Sequence, residues 1–170
     1  KTFNLKINSN LELAQKIYYT EEFFGNSGPL PPEVGKTTTY TVIWQIRNYW
    51  NGLENVRVKS RLPKNIKLTG EIFPEEAKIT FDSQSREVIW NVGEVEAFRG
   101  FDNEAPLTMA FQIEFIPDSS QKGQTAFLIE ESEVLGEDTW TLYEIDEKIL
   151  PINTTLPDDN TVSEIQGIIK

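Results

Sequence analysis

Thr39-Tyr40-Thr41-Val42-Ile43-Trp44-Gln45-Ile46-Arg47 decides the fold. Tyr40, Val42, Trp44 and Ile46 fall on one face at a period of two. That is the pattern of a half-buried strand, and β-branched and aromatic side chains suit its pleated surface. The same period recurs on both sides. Asn55 to Leu62 puts Val56, Val58, Ser60 and Leu62 on one face with basic residues between them, and Pro63 ends the run because it cannot donate to a sheet ladder. Glu87 to Val92 aligns Val88, Trp90 and Val92. Leu107, Met109, Phe111, Ile113 and Phe115 align before Pro117. Near the start, Leu11, Leu13, Gln15, Ile17 and Tyr19 form a further candidate. Trp140 to Ile145 is a weaker, two-sided case.

Turn chemistry separates these runs. Asn51-Gly52 favours positive φ and predicts a tight connection. Asp82-Ser83-Gln84-Ser85 predicts a hairpin between Ile79-Thr80-Phe81 and Glu87-Val88-Ile89. Gly28-Pro29-Leu30-Pro31-Pro32 is a stiff, extended connection. No stretch of about 12 residues carries a helical period. Short strands with turns at intervals of about 8–12 residues describe an all-β chain, an antiparallel β-sandwich of about seven to ten strands. One domain is expected over residues 1–159, with residues 1–22 supplying edge strands and residues 160–170 forming a linker or tail.

Composition narrows the function. The 170 residues hold 16 Lys and Arg against 27 Asp and Glu, a net charge of −11. That field opposes phosphate backbones, so nucleic acid is not an expected partner. The chain contains neither Cys nor His. This excludes a Ser-His-Asp triad, a Cys–His nucleophile pair and any thiolate or imidazole metal site. No run approaches the ~18 apolar residues of a membrane span, so no membrane contact is expected within this chain. A chain that begins at Lys1 and has its only Met at position 109 reads either as one whose N-terminal segment was cleaved or as a piece of a longer protein.

The block Gly28-Pro29-Leu30-Pro31-Pro32-Glu33-Val34-Gly35-Lys36-Thr37-Thr38-Thr39-Tyr40-Thr41 resembles the Ig-like domains of large, repetitive bacterial cell-surface proteins, those of the candidate-phyla bacteria (Patescibacteria) above all. The resemblance runs on through Trp44, Asn48, Leu53 to Val58, Leu62-Pro63, Arg86 to Gly93, Phe111 and Thr154 to Asp158, covering roughly residues 3–160. It implies an Ig-like sandwich, extracellular and non-enzymatic, serving as a spacer or an adhesion module. Its implied partners are neighbouring modules or a target-cell surface protein. No catalytic residue transfers. Two stretches depart from the pattern: Tyr49-Trp50-Asn51-Gly52, where small polar residues are usual, and the acidic, aromatic Glu94 to Glu104.

Those departures frame the candidate site. Tyr49, Trp50 and Asn51 form a candidate ligand-binding group, because exposed rings stack on sugars or anchor protein partners. A glycan is therefore the alternative partner, and a carbohydrate-binding module the alternative function. The competing reading makes Trp50 a lid over the sandwich end, and the usual burial of large apolar side chains favours it. Trp44 and Trp90 belong to the core. Acidic clusters, among them Glu130-Glu131-Ser132-Glu133, Glu137-Asp138 and Glu144 to Glu147, read as solvated surface. No cofactor is expected. Asp158, Asp159 and Asn160 are the candidate ligands should Ca²⁺ bind, since that ion takes loop oxygens. A Lys–Asn isopeptide crosslink is not expected, because Lys and Asn fall mostly at loops or outward positions. Asn153-Thr154-Thr155 matches a glycosylation acceptor in a bacterial-looking chain.

Overall fold

The computed structural model describes residues 5–170. Eleven strands are present among them: β1 (Leu11–Tyr18), β2 (Thr38–Asn48), β3 (Leu53–Arg61), β4 (Ile66–Phe73), β5 (Ile79–Phe81), β6 (Glu87–Val95), β7 (Leu107–Phe115), β8 (Phe127–Ile129), β9 (Ser132–Asp138), β10 (Glu144–Ile149) and β11 (Ile152–Asn153). Two antiparallel sheets, β1-β2-β7-β4 and β10-β9-β3-β6-β5, form the layers, and β11 pairs with β8. The chain is all-β and the expected sandwich is present.

The period-two runs bury the faces they advertise. Tyr40, Val42, Trp44 and Ile46 of β2 have no solvent exposure, nor do Val58, Val88, Met109, Phe111, Ile113 and Phe115. Trp44 meets Phe111 edge to face at 5.0 Å. One polar side chain bridges the two sheets inside this apolar layer. Gln15 of β1 accepts from Trp44 Nε1 at 2.7 Å and from the Ser132 hydroxyl of β9, and its amide donates to the Leu150 carbonyl at 3.3 Å. A buried indole N–H needs such a partner.

Asn51-Gly52 is a tight connection but not a hairpin. It passes the chain from β2 in one sheet to β3 in the other. Neither residue has positive φ, because the primed turns that demand it serve hairpins. The left-handed residue here is Asn55 (φ 55°), within the irregular pairing of β3 between Leu53 and Val56. Gly28 shows why the 28–41 block tolerates no side chain at its start. A Cβ there would lie 2.2 Å from the Thr37 carbonyl oxygen.

Three expectations need correction. Trp140 to Tyr143 is a turn, with Leu142 at φ 59°, and β10 begins only at Glu144. Ser132–Asp138, which holds two of the acidic clusters read as solvated surface, is a central strand, β9, between β3 and β10, and its Asp138 is buried. Its inward positions are Ser132, Val134, Gly136 and Asp138, and only one of these is apolar. Residues 160–170 do not leave as a tail. Ile169 is buried in the core cluster, the Thr154 hydroxyl donates to the Gly167 carbonyl at 2.6 Å, and Lys170 exchanges backbone bonds with Pro32 and Val34. Ile169 therefore completes the sandwich end. Ile169→Ala is expected to cost about 2–5 kcal/mol in urea unfolding, whereas Ile165→Ala, at a largely exposed position, changes stability by less than about 0.5 kcal/mol.

Candidate functional site

The sandwich has two poles. β2 runs from one to the other, and its 11 residues span about 35 Å. At the end of β2 lies the pole that residues 5–10 cross. Here Ser9 is buried, and its hydroxyl donates to Asn48 Oδ1 at 2.6 Å and accepts from the Trp50 N–H at 2.9 Å. Asn48 is also buried, and its amide donates to the Asn51 and Glu96 carbonyls.

Asp138, without solvent exposure, gathers this pole. One carboxylate oxygen accepts from Ser9 N at 2.7 Å and Asn51 Nδ2 at 2.8 Å. The other accepts from Trp140 N and Thr141 N, each at 2.9 Å. Burial works to raise its pKa, but these donors outweigh burial and lower it to about 2. Glu137-Asp138 is thus half structural, contrary to its reading as solvated surface. No lysine among the described residues is buried.

The two departures noted in the sequence meet here. Phe98 N donates to the Tyr49 carbonyl at 2.7 Å and Asn48 N to the Arg99 carbonyl at 3.0 Å. The Tyr49 ring lies 4.2 Å from Phe101, and Trp50 meets Phe98 edge-on at 6.2 Å. The Tyr49 hydroxyl donates to Glu12 at 2.9 Å, which raises its pKa. Trp50 is 56% exposed, so it is not the lid the composition rule favours. With Trp140, Leu5 and Ile7 it lines an open hollow of about 390 Å³. Asn51 touches this hollow, but both of its amide hydrogens are spent, one on the Ile7 carbonyl and one on Asp138, each at 2.8 Å. Leu5, Ile7, Phe98 and Trp140 were not singled out as site residues. The aromatic Glu94 to Glu104 stretch and the unassigned Trp140 were the signals available.

Asp158, Asp159 and Asn160 lie towards the opposite pole. Asp159 is buried; one oxygen accepts from Tyr19 N and Thr20 N, and the other from the Thr161 N–H and hydroxyl. Burial opposes these bonds, but they lower its pKa. One oxygen thus holds the end of β1 and the other its own turn at Thr161, whereas Asp158 is half-buried and Asn160 exposed. Among the described residues no three acidic side chains are grouped to hold a metal ion.

No family model matches the chain, and no curated protein matches it. Solved structures do. A variant of BcpA, the major pilin subunit of Bacillus cereus, matches with a TM-score of 0.52 at 10% identity, over 86% of this chain and 40% of that one. The full-length major pilin SpaD of Corynebacterium diphtheriae matches with a TM-score of 0.52 at 11% identity, over 85% of this chain and 35% of that one. The likeness is one of fold. The chain spans well under half the length of these proteins.

Asp138→Asn is expected to destabilise the domain by about 2–3 kcal/mol at neutral pH, since a charge-assisted acceptor is lost at a buried site. A folded pKa of about 2, below the unfolded 3.8, contributes stability that is present above about pH 4 and lost as pH falls through 2. The gap between wild type and variant in denaturant titrations should close over that window.

Proposed function

We propose that this chain is a non-enzymatic spacer module of a large bacterial cell-surface protein, working outside the cell in an adhesive or attachment stalk of the Patescibacterial kind. One observation carries the reading: residues 5–10 lie at one pole of the sandwich and residues 169–170 at the other. Residues 5–10 cross the Asp138 pole, and Lys170 is bonded to Pro32 and Val34 beside the start of β2. Such a module adds its own length to a stalk. The fold it shares with pilin domains, and a core that needs no disulfide, support the same reading.

The geometry also suits tension. β1 runs away from the entry pole and is paired with β2 over eight residues. Tension between residue 5 and residue 170 pulls β1 along β2. Its ladder bonds, perpendicular to the strands, are loaded together and not one after another. Asp138 and Asp159 hold the two ends of the same strand. The carbohydrate alternative has less behind it, because the amide hydrogens of Asn51 are no longer free for sugar hydroxyls.

Single-molecule extension from the two poles tests the reading. The expected result is one rupture releasing about 500–600 Å of chain. Stepwise lengthening at low force would overturn it. A glycan panel should give no response that Trp50→Ala abolishes; such a response in a folded variant would favour the carbohydrate reading.

A further inference from the structure

The outer face of the five-stranded sheet carries cross-strand rows of charge. One row, Lys59–Glu133–Lys148, alternates in sign, with Lys59 to Glu133 at 2.9 Å. The row nearest the entry pole does not. Glu54, Glu137 and Glu144 stand directly opposite one another across β3, β9 and β10. None makes an ion pair among the described residues. Like charges in that position destabilise a sheet. Glu94 and Glu96 join Glu54 around a shallow depression with Gly52 and Thr139. An apolar hollow between Trp50 and Trp140, with Lys6 Nζ 5.9 Å from the Trp140 ring, thus sits beside a band of glutamates that make no ion pair among the described residues.

The opposite pole is its complement. Val34, Asn65, the 117–124 loop and residues 169–170 are tied there by backbone bonds around the start of β2. Lys64, Lys122 and Lys170 are exposed on it and make no ion pair among the described residues. Of the acids beside them, Glu33 pairs with Lys36, while Asp118 accepts from Asn65 and Ser120 and keeps its charge. Ile165 and Ile168 project from the segment that leads into this pole.

We propose that the Trp50–Trp140 pole docks the lysine-bearing pole of a second copy of this module, head to tail. The isologous alternative sets the glutamate bands against each other and is disfavoured by like charge. Head to tail, the glutamate band faces Lys64, Lys122 and Lys170, and the isoleucines face the tryptophans. Such a contact leaves one free pole on each copy, so it propagates along a line and does not close at two. The inference rests on the spacer reading and names the surface through which one spacer meets the next.

Sedimentation velocity at physiological ionic strength tests it on the wild-type chain and two surface variants. The wild type is expected to form open-ended oligomers that grow with concentration. Trp50→Ala/Trp140→Ala loses one pole and Lys122→Glu/Lys170→Glu the other; each weakens self-association by tenfold or more. Mixed one to one, the two variants form a dimer that grows no further, because together they keep one intact pole of each kind. Matching urea midpoints confirm that the variants fold, and the lysine variant tests the proposal if the tryptophan variant does not. A wild type that stays monomeric, or association that survives both variants, would overturn the docking. A monomer that still ruptures in one step between its poles would leave the spacer reading standing.

Discussion

The carboxylate of Asp138 is the constraint on which one whole end of this sandwich depends. A buried charge is tolerated only when its oxygens are filled, and here three backbone N–H groups and one amide fill them. Those donors come from the entering segment, the β2–β3 crossover and the turn after β9. They are far apart in sequence and held at one point. The same carboxylate fixes Asn51, and Asn51 in turn holds the carbonyl of Ile7. The hollow beside Trp50 exists because that chain of bonds places residues 5–7 across the pole.

Asp159 repeats the device where β1 ends, with two backbone N–H groups on one oxygen. A first strand held only by its ladder frays readily, since an edge strand has one partner. Fixing it by an aspartate at each end, with Gln15 bonded to Trp44 and Ser132 in its middle, converts an edge into part of the core. That arrangement suits a module whose residues 5–10 lie at one pole and whose residues 169–170 lie at the other. Stability and the proposed mechanical role therefore draw on the same three polar side chains.

The strands that alternate cleanly were legible. β2 and β7 carry apolar residues at every second position and β3 and β6 do so over part of their length, and burial of those faces is the largest favourable term in folding. β9 was hidden because its inward residues answer to neighbours and not to hydrophobicity. Ser132 faces Gln15, Asp138 meets Ser9, and a Cβ on Gly136 would lie 2.9 Å from Val56. The packed 160–170 segment was hidden for a related reason: a few residues shaped to fill one gap have no period.

The sequence by itself determined the all-β class, the core tryptophans and the absence of Cys and His chemistry, because periodicity and composition are local properties. It also marked Tyr49-Trp50 and Glu94 to Glu104 as departures from a common pattern. Only the tertiary structure decided that these two stretches meet, that Trp50 stays exposed and that Asp138 and Asp159 are structural. It also decided that three glutamates stand in one unbroken row. Each of these depends on strand register and on contacts between residues distant in the chain, and neither follows from local alternation.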